Sequence, residues 1–227
     1  ATSFVVEDFV PPRLELSLVP PTAPADPARP IEIGVEGRYL FGAPAAGLEG
    51  ETELLVRPAE RPFAGLEGWS FGLAQETFLP RGVPPVGFTT DAAGSARVAV
   101  ALGPLPETTR PLEAVIRGRL LDVDGRPAQA LAVVPLRPAG RSIGLRAGFE
   151  GPLPEGARAA FEVALVDPLG APVGPARLAF ELLVEEHDVT WFQRGGRWEA
   201  ETVVRDTLVR SGTLELDASG RGRLELD

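Results

Sequence analysis

The densest group of side chains able to do chemistry is Glu185-Glu186-His187-Asp188, which holds the only histidine of the chain. Carboxylates beside an imidazole are the side chains of zinc centres and of general acid–base catalysis. Either use needs them to converge. In an extended strand successive side chains point to opposite faces, so Glu185 and His187 share one side and Glu186 and Asp188 the other. Two ligands at most then meet, and zinc would need others from elsewhere. The stretch reads as a polar strand end; a metal-dependent enzyme built on it is the alternative, decided by chelation and metal re-addition.

Asp122-Val123-Asp124-Gly125 mimics the opening of a calcium loop, which wants alternating oxygen ligands, glycine at position six and glutamate at position twelve. Here glycine is fourth, Arg126 and Pro127 follow, and position twelve is Val133. A hairpin turn fits better. Trp191, Phe192 and Trp198, near Arg194 and Arg197, could stack a sugar or a peptide. The Gln193-Arg194-Gly195-Gly196-Arg197 centre reads more simply as a hairpin tip whose aromatic arms pack inward or against a neighbouring domain. On that reading, replacing Trp191 should impair folding.

One histidine leaves little room for a triad, and no glycine-rich phosphate loop precedes a helix. No catalytic, cofactor-binding or metal-ligating residue is therefore assigned, no cofactor is expected, and the chain reads as a non-enzyme.

Composition narrows the partners. Twenty-two basic against 32 acidic residues give a net charge of -10, which disfavours nucleic acid and anionic membranes. There is no cysteine, so disulfides, thiolate metal sites and cysteine nucleophiles are excluded within these 227 residues. All the basic residues are arginine, and asparagine and methionine are absent, a bias suggesting a GC-rich genome. With neither a methionine nor a signal-peptide pattern, and ending on Leu224-Glu225-Leu226-Asp227, the chain reads as a segment of something longer.

The elements that must carry these residues are strands. Leucine alternates with polar residues across Arg13 to Leu18, and similar alternation recurs at 52–56, 97–102, 159–166, 177–184, 213–216 and 223–226. Twenty-four prolines and 26 glycines interrupt almost every window long enough for a helix, Leu73 to Phe78 being the best helical candidate. Residues 58–88, rich in Pro, Gly and aromatics, suggest a long ordered excursion rather than a sheet strand.

Two turn motifs occur twice. Gly42-Ala43-Pro44 with Gly47 returns as Gly170-Ala171-Pro172 with Gly174, and Asp91-Ala92-Ala93-Gly94 returns as Asp217-Ala218-Ser219-Gly220. Offsets of 128 (170 minus 42) and 126 (217 minus 91) fit tandem domains of one fold, not a solenoid. The expected architecture is all-β: two tandem antiparallel β-sandwiches, over residues 12–138 and 139–227, with residues 1–11 a connection from a preceding domain.

Three stretches carry a family resemblance. Phe4 to Leu16 (FVVEDFVPPRLEL) resembles the junction between the second and third macroglobulin domains of α2-macroglobulins and complement proteins. Val35 to Leu48 (VEGRYLFGAPAAGL) resembles the strand and turn that follow in bacterial members, and Glu185–Asp188 with Trp191–Glu199 resembles a stretch of their next domain. The resemblance implies immunoglobulin-like, seven-stranded sandwiches equivalent to the third and fourth domains of the eukaryotic order, with a shifted ordinal in bacteria. It also implies a large secreted, periplasmic or cell-envelope parent, often a lipoprotein, that traps proteases after they cut a bait region. Some members carry a Cys-x-Glu-Gln thioester; this stretch has neither that motif nor an obvious bait region. The implied partners are neighbouring macroglobulin domains and, through the whole parent, proteases. The implied role is mechanical: sandwiches that hold other parts in place and move as rigid bodies. A tandem binding module of a surface adhesin or carbohydrate-binding protein, using the Trp191 to Trp198 aromatics, is the rival.

Overall fold

A computed structural model describes residues 13–154 and 156–226. The expected connection at residues 1–11 lies outside the described residues, as does most of the 4–16 motif. The strands are β1 (Leu14–Val19), β2 (Ile31–Tyr39), β3 (Glu49–Pro58), β4 (Ser70–Phe71), β5 (Arg81–Thr89), β6 (Ser95–Val100) and β7 (Leu112–Leu121). They continue as β8 (Pro127–Pro135), β9 (Ser142–Ala147), β10 (Ala159–Val166), β11 (Ala176–Arg194), β12 (Arg197–Leu216) and β13 (Arg221–Leu226). No helix forms among the described residues, and the fold is all-β with antiparallel sheets, as the alternation predicts.

The chain divides into two compact units, one running through Ser142 and taking in Pro168–Gly170, the other comprising Ile143–Asp167 and the residues from Ala171 onward. In the first unit, sheet β1-β2-β6 and sheet β5-β3-β7-β8 make a sandwich. Its core joins Leu14, Leu16, Ile31, Ile33, Val35, Val98 and Val100 of one sheet to Leu54, Val56, Ala114, Ile116, Leu120 and Val134 of the other. The sheets approach closely: a Cβ on Gly37 would stand 2.5 Å from Leu120 Cδ2 and one on Gly118 2.8 Å from Leu18 Cδ2. At roughly 1.5–3 kcal/mol per buried aliphatic side chain, this cluster supplies most of the unit's driving force.

The second unit repeats the first three-strand order as β9-β10-β13, and beside it β11 and β12 form a two-stranded sheet. Its smaller core gathers Val163, Leu165 and Leu216, with Val173, Ala176, Leu178, Leu214 and Leu224 packed against them. Five strands are described here where the first unit has seven in its two sheets. Since the Gly-Ala-Pro turn precedes both β3 and β11, and the Asp-x-x-Gly turn follows both β5 and β12, β11 and β12 are the counterparts of β3 and β5.

Two expectations need correction. Leu73 to Phe78 forms a turn and not a helix: it is too short for a stable one, and the Arg110 guanidinium draws the Leu73 and Ala74 carbonyls outward at 3.2 and 2.8 Å. The excursion at 58–88 is interrupted by strands, because Arg81–Thr89 pairs with β3 despite Pro84 and Pro85. As an edge strand β5 tolerates lost donors, and the register jumps from Thr52–Val86 to Leu54–Val83, so the prolines fall at the irregularity.

Candidate functional site

The residues singled out for chemistry lie on two hairpins, one in each unit. In the first, Asp122 to Arg126 is the turn joining β7 to β8: the Asp122 amide donates to the Arg126 carbonyl at 2.9 Å and the Gly125 amide to the Asp122 carbonyl at 2.8 Å. The Asp122 carboxylate accepts from the Tyr39 hydroxyl at 2.9 Å and from the Val123 amide at 2.8 Å, while Asp124 pairs with Arg126 at 3.6 Å. Both carboxylates thus serve the turn. The hydrogen bond to Asp122 raises the Tyr39 phenol above its usual value, with burial and the negative charges of Asp122 and Asp124 adding to the effect.

In the second unit Ala176–Arg194 and Arg197–Leu216 form one long hairpin. The Gly195-Gly196 tip has φ of 60° and 81°, the left-handed pair that a two-residue turn with matching twist requires. At the base, Ala176, Leu178, Leu214 and Leu216 face the core. The register shifts between Leu182 and Leu183, from Leu182–Arg210 to Leu183–Leu208. Past it, the pairs His187–Val204, Val189–Thr202, Trp191–Ala200 and Gln193–Trp198 share one side of the ribbon. Glu186–Arg205, Asp188–Val203, Thr190–Glu201, Phe192–Glu199 and Arg194–Arg197 share the other.

The ribbon is therefore amphipathic. Its apolar side is open to solvent: Val189 is 54%, Trp191 63%, Trp198 67% and Val204 50% exposed. Inward packing of both tryptophans, one of the two expected roles, is not what the structure shows; of the three aromatics only Phe192 is half-buried, with the Arg194 guanidinium 5.2 Å from its ring centre. Glu185 to Asp188 is likewise not a strand end. The β-branched and aromatic run Val189-Thr190-Trp191-Phe192 carries β11 on to Arg194.

The four polar residues divide as alternation dictates. His187 Nε2 lies 2.7 Å from Glu185 Oε1, whereas Asp188 on the other side pairs with Arg205 at 3.7 Å. Among the described residues no three His, Asp or Glu side chains gather as metal ligands would. The hairpin offers a surface with an apolar stripe, and its ion pair Asp188–Arg205 lies on the opposite side.

Comparison with known proteins fixes the family. Residues 12–138 match the model described as Bacterial Alpha-2-macroglobulin MG5 domain, and residues 144–227 match Bacterial macroglobulin domain 6. The chain belongs to the bacterial α2-macroglobulin family. An α2-macroglobulin of Escherichia coli strain K12 is 29% identical over 97% of the chain, and so is one from Xylella fastidiosa strain Temecula1. A crystal structure of Salmonella α2-macroglobulin reacted with methylamine superposes over 97% of the chain with a TM-score of 0.81 at 28% identity. The E. coli protein activated by porcine elastase superposes over 98%, with a TM-score of 0.76 at 30% identity. The chain spans only 14% of the length of these relatives by sequence, and 15% and 20% of the two solved chains. In bacterial order the two matched domains are the fifth and sixth.

Proposed function

We propose that these residues are two scaffold domains of a long protease-trapping α2-macroglobulin, and that they act through packing surfaces without catalytic chemistry of their own. The observation that carries this reading is alignment of 97% of the chain within 14% of the E. coli relative's length, which supports two domains of a much larger architecture. A relative solved after activation by porcine elastase supports proteases as what the whole protein meets. On this reading the parent sits in the cell envelope, its direct partners are neighbouring macroglobulin domains, and the groups that respond to a protease belong to other parts of the polypeptide.

The test is stoichiometric. Elastase titrated with the 227-residue chain should keep its full activity at tenfold molar excess, while the long polypeptide should suppress cleavage of a protein substrate at about one to one. Inhibition by the short chain alone would overturn the scaffold reading. The solvent-open Trp191 and Trp198 give the carbohydrate-binding rival a specific foothold. Calorimetric glycan binding lost in Trp198→Ala would favour that rival.

A further inference from the structure

We infer that the apolar side of the outer β11–β12 ribbon, centred on Val189, Trp191, Trp198 and Val204, is a docking face covered by another domain of the same long polypeptide. This inference rests on the scaffold reading above. The first unit shows how much of such a hairpin a sandwich can use. There β3 is ten residues long and pairs with β7 over Gly50–Pro58, and β5 is nine residues long. Their counterparts β11 and β12 are 19 and 20 residues long. Even with a strand equivalent to β7 laid against β11, about ten residues of each arm would reach past it, about 30 Å of ribbon. A two-stranded ribbon is marginal in water by itself, and this one exposes two tryptophans and several aliphatic side chains on one side.

What covers the stripe follows from length and charge. About six-sevenths of the relatives' length lies outside the matched region, so further domains are the most abundant nearby surface. The apolar side also carries Glu185, in contact with His187 at 2.7 Å, and Asp206, but no arginine beyond the register shift, since Arg194, Arg197 and Arg205 are on the other side. Two copies of this face would bring acidic residues together, and an anionic lipid surface would repel them. The covering surface should be apolar at its centre and bear a cation opposite Asp206.

The absence of cysteine makes single-cysteine labelling direct. Val189→Cys and Trp198→Cys report the apolar side; Thr190→Cys and Glu201→Cys report the other. In the 227-residue chain all four should react with a maleimide at similar rates. In the long polypeptide, with modified peptides located by mass spectrometry, the two apolar-side positions should react at least tenfold more slowly and the other two should change less than threefold. Equal reactivity at Val189 and Trp198 in both forms would overturn the inference, as would protection in the short chain that grows with its concentration, which would mean a second copy. Should a variant fail to fold, amide exchange of residues 185–206 in the unmodified proteins reads the same question: slower exchange in the long polypeptide supports the inference, equal exchange overturns it. A native polypeptide of only 24.0 kDa would overturn the scaffold reading along with it, whereas a long one with an unprotected stripe overturns this inference alone.

Discussion

The Leu165 amide donates to the Gly220 carbonyl at 2.9 Å, just as, 128 and 126 residues earlier, the Gly37 amide donates to the Gly94 carbonyl at 2.8 Å. The surrounding bonds repeat as well. Val173 donates to the Leu165 carbonyl as Ala45 does to that of Gly37, and each turn is closed by its aspartate, Asp217 or Asp91, accepting amides two and four residues on. A repeat visible only as turn letters is thus a repeat of hydrogen-bond wiring that ties one edge of a turn to the strand beside it.

Alanine at Gly94 or Gly220 should break this wiring. Their φ values are 78° and 68°, and a Cβ would stand 2.4 Å from the Gly37 carbonyl oxygen or 2.8 Å from that of Leu165. Left-handed strain and a backbone clash together should cost about 2–4 kcal/mol at either site, read as a lowered urea midpoint. Gly125→Ala, with a similar φ of 81° but nothing within 4 Å, should cost visibly less.

Tyr39 and Asp122 set a dependence on alkaline pH. The folded state holds the phenol above its ordinary value of 10.0, so the neutral form is favoured on folding. The stabilisation is complete below pH 10 and disappears as the pH rises through the folded value. The unmodified protein should therefore lose thermal stability above pH 10 more steeply than Tyr39→Phe, as a pH series of melting curves will show.

Asp217 sets the opposite dependence. Hydrogen bonds from Ser219 and from the Arg221 amide hold its carboxyl below the usual 3.8. The group contributes above that value, and its contribution fades as the pH falls through the lower folded value. Asp217→Ala should lower stability near neutrality yet show a flatter decline below about pH 4 than the unmodified chain, in melts from pH 2 to 7.

Much of this fold is legible in the sequence because half-buried strands write themselves as alternation. Leu14 and Leu16 point in while Glu15 and Ser17 point out, and the same holds through β6 and β13. β7 is harder to see: Leu112, Ala114, Ile116, Gly118 and Leu120 point inward, but a glycine among them and the apolar Val115 and Leu121 on the outward side blur the alternation. β5 is hidden by Pro84 and Pro85, which only an edge position with an irregular register can absorb. At the long hairpin, sequence finds the Gly195-Gly196 tip and the aromatic arms. It misjudges the polar residues 185–188, because four consecutive polar groups look like an ending when they are the crossing between a core-facing base and an outward stripe.

The stripe's openness makes a prediction for the isolated chain. Were Trp191 packed inward, Trp191→Ala would cost about 3–5 kcal/mol. With 63% exposure and Ala200 opposite it, the substitution should change the unfolding free energy read from urea denaturation by no more than about 0.5 kcal/mol in the 227-residue chain.

Packing against chemistry is decided most directly in the long polypeptide by comparing two variants in one assay, stoichiometric suppression of elastase on a protein substrate. Glu185→Gln, His187→Gln and Asp188→Asn together should leave suppression within twofold of the unmodified protein, whereas Trp191→Ser with Trp198→Ser should reduce it at least fivefold. Loss of suppression in the first variant with full retention in the second would contradict a role carried by surfaces and assign it to the polar residues instead.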